Sequence, residues 1–128
     1  MRIGIANDHR GVDAKEIISK YLIEKGYGVV NYGADTKDAV DFPDYAYKLG
    51  KGVLNKEVDL GIAICGTGIG MSIALNKMKG IYCAKVSKES EAVLSKAHNN
   101  ANVIAISEET DKDLMLSIID KFVSTPFS

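Results

Sequence analysis

Short apolar runs and helical stripes take turns along this chain. Arg2 to Ala6, Tyr27 to Tyr32, Leu60 to Cys65, Ile81 to Val86 and Asn102 to Ile106 each read as a strand. The third and fifth are almost wholly apolar, as strands covered on both faces are. Between them the period changes to that of a helix. Ala14, Ile17, Ile18, Tyr21 and Leu22 fall on one helical face, with Gly26 placed to end it. Behind Pro43 the stripe is Tyr45, Ala46, Leu49 and Val53, and a third helix starts inside a glycine turn and carries Met71, Ile73 and Ala74. Ser87 is placed to cap a fourth helix with Glu89 and Glu91 in its first turn. Thr110 and Asp113 read as a capping box before Leu114, Met115, Ile118, Ile119 and Phe122.

Strict alternation of strand and helix predicts an α/β fold: one doubly wound, Rossmann-like sheet of five parallel strands with helices on both faces, spanning residues 1–128 as one domain. The common order for such a sheet is 2-1-3-4-5. Strands one and three are then neighbours whose following helices leave on opposite faces, and ligands bind beyond their carboxyl ends. Function is therefore to be sought in the loops after strands one and three.

Composition narrows the partners. The 128 residues are 46% hydrophobic and 26% charged, with a formal net charge of −1, so no broad basic surface for nucleic acid or an anionic membrane is expected. The first apolar run is too short for a signal-peptide core and no run has transmembrane length, so the expected location is the cytoplasm. The two cysteines, Cys65 and Cys83, form no Cys-x-x-Cys and have no zinc-like histidine spacing. No metal site is expected.

The loop after strand one reads Asn7-Asp8-His9-Arg10-Gly11, and that after strand three Cys65-Gly66-Thr67-Gly68-Ile69-Gly70-Met71-Ser72. A glycine turn opening a helix aims several N–H groups at one point, with the positive end of the helix dipole behind them. Such a cradle suits an anion or a developing oxyanion. Cys65 at its lip has two readings: a thiolate acting as base or nucleophile, or a small apolar residue that ends a buried strand. Cys83, within strand four, reads as core. Gly66, Gly68 and Gly70 resemble part of a dinucleotide fingerprint, but its third glycine would fall at Met71, and the turn follows strand three instead of strand one. Asp8 and His9 are either a helix cap and a solvated imidazole, or an acid/base and a hydroxyl contact facing the cysteine.

His98 closes the fourth helix. A helix entering a parallel strand ends at the sheet edge opposite the crevice, about 17 Å from Cys65 across a five-residue strand. The two can meet only across subunits, in a homodimer with two composite sites or in a tetramer of such dimers.

At these residues the sequence resembles the ribose-5-phosphate isomerase B family, which includes the galactose-6-phosphate isomerase subunits. The likeness runs from Met1 to about Phe127. It rests on Asp8-His9, Asp41-Phe42-Pro43, the run from Ile64 to Ala74 with Asn76-Lys77, and His98-Asn99-Asn100-Ala101-Asn102-Val103. The resemblance implies an aldose–ketose isomerase of a small sugar phosphate, of the ribose 5-phosphate to ribulose 5-phosphate type, with no cofactor. Cys65 would take the proton from C2, and Thr67 would bond near the reacting oxygens. Gly66, Gly68 and Gly70 with Asn99 would hold the enediolate, Asp8 would contact hydroxyls, and His98 of the partner subunit would open the sugar ring.

Three departures concern the phosphate. Tyr82, and Glu108 with Glu109, stand where the family usually has arginines, and a basic segment after the last helix is absent; only Arg2 and Arg10 remain. Each charge-assisted bond to a phosphate is worth on the order of 1.5 to 3 kcal/mol. Either His9 and Arg10 form a reduced anion site, or the substrate is a tetrose, a hexose or an unphosphorylated sugar. A subunit of a hetero-oligomer, a non-catalytic sugar-binding module and a dinucleotide protein are the other readings.

Overall fold

The computed structural model describes residues 1–128. Five parallel strands, β1 (Arg2–Asn7), β2 (Gly28–Gly33), β3 (Leu60–Cys65), β4 (Cys83–Lys85) and β5 (Val103–Ser107), form one sheet. Between and after them run α1 (Val12–Glu24), α2 (Phe42–Leu54), α3 (Ile69–Asn76), α4 (Glu89–Ala97) and α5 (Lys112–Ser124). The α/β class, the five parallel strands and the helices match the expectation from the sequence.

The strand order does not. It is 2-1-3-5-4, not 2-1-3-4-5: β5 pairs with β3, and β4 is the edge. The cause is visible in side-chain character. β5 is apolar and buried from Val103 to Ile106, whereas β4 is three residues long and ends on the exposed Lys85. An edge position suits the short strand. Right-handed crossovers then fix the layers. The step from β3 to β4 and the return to β5 run in opposite directions, so α4 joins α1 and α5 on one face while α2 and α3 cover the other.

The two faces differ in bulk. Alternation along β3 and β5 sends Leu60, Ile62, Ile64, Ile104 and Ile106 toward α1, α4 and α5, where they meet Ile18, Ile118, Ile119 and Phe122. The opposite row is Gly61, Ala63, Cys65, Val103 and Ala105, against Leu49, Met71 and Leu75. Small residues there let α2 approach: a Cβ on Gly4 would stand 2.9 Å from a Leu49 methyl. Cys65 is the last member of this small-residue row, which places its side chain beneath α3.

Some ends form differently from their sequence signals. α1 closes in a Schellman motif, with Gly26 at φ +93°, its N–H on Ile23 O at 3.0 Å and Tyr27 N–H on Leu22 O at 3.0 Å. The capping box at Thr110 and Asp113 is absent, because the residue preceding α5 is Asp111 and makes no side-chain cap. Ser87 does not cap α4 either: Lys88 occupies that position, and the Ser87 N–H instead donates to Glu91 Oε1 at 2.8 Å.

Candidate active site

The site is assembled where β1, β3 and β5 end. Asn7 pairs with Ile64, and Cys65 with Ser107, so three strands deliver their last residues to one level. The turn after β1 is tied to β3 by the Asp8 N–H, which donates to Ile64 O at 3.1 Å. Asp8 is buried, and its Oδ1 accepts from the Arg10 N–H at 2.9 Å, holding a single 3-10 turn at His9–Gly11. Beneath it Asn7, fully buried, donates through Nδ2 to Asp8 O and Ala34 O, each at 2.8 Å. His9 Nδ1 accepts from the Val40 N–H at 3.3 Å, which fixes the imidazole against the segment leading to α2.

Cys65 retains 5% exposure, and its Sγ accepts from the Gly68 N–H at 3.2 Å. Only glycine suits position 68. The residue sits at φ +83° as the residue before α3, and a Cβ would lie 3.1 Å from the backbone carbon of Ile106. Thr67 Oγ1 accepts from the Ile69 N–H at 3.1 Å on the exposed side of the turn. At Gly70 a Cβ would meet the Phe42 ring at 2.9 Å, so the turn also packs on the start of α2. The sulfur thus lies among backbone N–H groups at the N-terminus of α3, and the amides of that turn suit an anion bound beside it.

The strand order adds Ser107, which the sequence did not point to, and brings to the same loop Glu108 and Glu109, which the sequence marked only as departures from the family's arginines. Because β5 lies next to β3, the loop after β5 borders the thiol. Ser107 Oγ donates to Gly66 O at 2.6 Å and accepts from the Glu109 N–H at 3.1 Å, while the Glu108 N–H donates to Cys65 O at 2.8 Å. In the order 2-1-3-4-5 the loop after β4 would have stood there instead.

Asp8, His9, Arg10, Cys65, Gly66, Thr67, Gly68 and Gly70 are thus at one end of the sheet. His98 and Asn99 are not with them. They are exposed at the end of α4, where β5 begins, so the length of that strand, about 17 Å, separates them from the thiol. Asn99 instead lines a shallow cavity of about 380 Å³ with Asn76, Tyr82, Cys83, Ala84 and Ala101. Burial pushes the Cys83 thiol up to about 12, against a smaller opposing effect of a hydrogen bond with Ser72. No three His, Cys, Asp or Glu side chains gather closely enough to hold a metal ion, and no helix is long and apolar enough to cross a membrane.

A doubly wound sheet with an amide-lined turn at its switch point defines a Rossmann-like α/β protein, a class whose small-ligand sites lie outside the strand ends. More narrowly, the chain belongs to the ribose/galactose isomerase family, whose model matches residues 3–128. It is 43% identical to the probable ribose-5-phosphate isomerase B of Mycoplasma genitalium, over 98% of this chain and 84% of that protein. The crystal structure of that organism's enzyme with bound ribulose 5-phosphate superposes with a TM-score of 0.93 at 41% identity, covering 98% of this chain and 85% of the other. The ribose-5-phosphate isomerase B of Clostridium thermocellum superposes with a TM-score of 0.97 at 41% identity, covering 99% and 86%.

Proposed function

We propose that this protein is an aldose–ketose isomerase of a small sugar phosphate, of the ribose 5-phosphate to ribulose 5-phosphate type. The observation that carries the mechanism is the Cys65 sulfur held by the Gly68 N–H in a glycine turn that opens α3. As a thiolate, Cys65 takes the proton from C2 of the open-chain aldose. Electrons pass to the C1 carbonyl, and the enediolate that forms lies in the field of the N–H groups from Gly66 to Gly70. Thr67, together with Asn99 of a second copy, bonds the reacting oxygens. The hydroxyl proton passes from O2 to O1, and return of the carbon proton from Cys65 to C1 completes the ketose. Asp8 holds substrate hydroxyls, with His9 and Arg10 at the anionic end. Bound ribulose 5-phosphate in the M. genitalium enzyme supports the substrate class.

Ring opening falls to His98 of a second copy. Helix α3 supports this pairing: it begins at the Cys65 turn and ends at Asn76, beside Tyr82 and Asn99. Its outer face exposes Ile69 and Ile73, each about half exposed, next to an apolar groove formed by Phe42, Pro43, Tyr47 and Met78. A two-fold axis across the middle of this roughly 12 Å helix sets the thiol end of one copy against the His98 end of the other. Each composite site would then take Cys65 from one subunit and His98 from its partner.

The test is a panel of ribose 5-phosphate, other pentose, tetrose and hexose phosphates, and free sugars, with ketose formation followed for each. Turnover of ribose 5-phosphate or a close relative is the expected result. No turnover of any sugar, with binding retained, would leave a sugar-binding module.

A further inference from the structure

The rim of the site carries one guanidinium, and it is already engaged. Arg10 leaves the turn after β1 and lies across Gly66, where a Cβ would stand 2.7 Å from its Nη1. Its Nη2 donates to Glu108 Oε1 at 3.0 Å and reaches Glu109 Oε1 at 3.5 Å. The backbone that carries both glutamates is anchored, since the Glu108 N–H bonds the Cys65 carbonyl and the Glu109 N–H bonds Ser107 Oγ. One positive and two negative side chains leave the group with a charge of −1. The only other arginine, Arg2, stands at the far end of β1. The remaining ion pairs, Lys15 with Asp35 and Lys37 with Asp13, belong to the packing of α1 and the segment after β2.

A dianion entering this rim must compete with two carboxylates for the same guanidinium, and it approaches them as a like charge. A neutral sugar faces neither cost. We propose that Glu108 and Glu109 are the charge-selecting residues of this site: by holding Arg10 they weaken its grip on a doubly charged phosphate relative to an uncharged sugar. The proposal rests on the sugar-isomerase reading for the class of ligand. Its physical content is the competition for Arg10. Arg10 is half exposed, Glu108 25% and Glu109 72%, so the competition is softened by water and is not absolute.

Calorimetric titration of the whole protein with inorganic phosphate, and separately with ribose, tests it without turnover. In Glu108→Gln/Glu109→Gln, phosphate is expected to bind about three- to tenfold tighter, the worth of two partly exposed ion pairs, and ribose with unchanged affinity. Adding Arg10→Gln should remove most of the gain, leaving only the relief of like-charge repulsion. Glu109→Gln alone, at a side chain mostly in water, guards against a folding defect and should show part of it. Equal or weaker phosphate binding in the glutamine variants, including none in any of the proteins, overturns the proposal. Failure of every sugar in the isomerase panel would sink the catalytic reading and leave this measurement standing.

Discussion

Replacing Gly68 by alanine isolates what the glycine turn contributes. Gly68 and Gly26 share a left-handed backbone, at φ +83° and φ +93°. In either place an alanine costs about 1 to 2 kcal/mol for that conformation alone. Their surroundings differ. A Cβ on Gly26 meets nothing within 4 Å, whereas on Gly68 it meets the backbone of Ile106 at 3.1 and 3.3 Å and that of Ala105 at 3.4 Å. That backbone is the β5 stretch paired with β3, and it cannot move without disturbing Ala63 and Ile64. Overpacking there adds roughly 1 to 2 kcal/mol. The expected destabilisation is thus about 2 to 4 kcal/mol for Gly68→Ala against about 1 to 2 for Gly26→Ala. At a midpoint shift of roughly 3 to 5 °C per kcal/mol for a chain of this size, thermal unfolding at one fixed protein concentration separates them. The Gly68 N–H is also the donor to the Cys65 sulfur, and a backbone pushed off Ile106 misaims it, so kcat/KM should fall by about ten- to a hundredfold in Gly68→Ala, short of the loss expected for a deleted preorganised donor. In Gly26→Ala it should hold. Equal midpoints for the two variants, or wild-type activity in Gly68→Ala, would refute the reasoning.

Two further outcomes follow from the geometry. If each site takes its thiol and its imidazole from different subunits, Cys65→Ala and His98→Asn proteins are each inactive, and remixing them one to one restores about a quarter of wild-type activity, because half the dimers are mixed and each has one intact site. No recovery after verified subunit exchange would contradict the shared site. With the Cys83 thiol pushed up to about 12 by burial, its alkylation in the folded protein should be slow below pH 9 and rise steadily with pH, without levelling near the ordinary thiol value of about 8.5; a plateau there would contradict that environment.

Much of the fold is written in periodicity. β3 is bounded at the same residues in sequence and structure, and the Gly26 stop forms as the pattern implies, because each depends on local chemistry. The order of the last two strands depends on which one deserves burial on both sides. The signal was present, in the unbroken apolar run from Val103 to Ile106 beside the exposed Lys85, yet the commoner topology outweighed it. That single exchange hid Ser107 from the site, while Glu108 and Glu109 were marked only by the family resemblance. Glycine spacing and the switch point sufficed to bring Asp8 to Cys65. Nothing in the spacing reveals that Arg10 is shared with two glutamates, since such a contact joins residues almost a hundred positions apart. The placement of His98 at the opposite edge was legible from connectivity alone, because a helix that feeds a parallel strand must end where that strand begins.

The central claim is that the Cys65 sulfur moves a proton at C2 of a sugar. Incubation of ribose 5-phosphate with the enzyme in deuterium oxide, followed by proton magnetic resonance of the recovered aldose, reads that step directly. Wild-type protein should wash deuterium into C2 as aldose and ketose interconvert, and Cys65→Ala, folded to the same melting temperature, should leave the C2 proton in place. Exchange in the alanine variant at the wild-type rate would assign the base to another group.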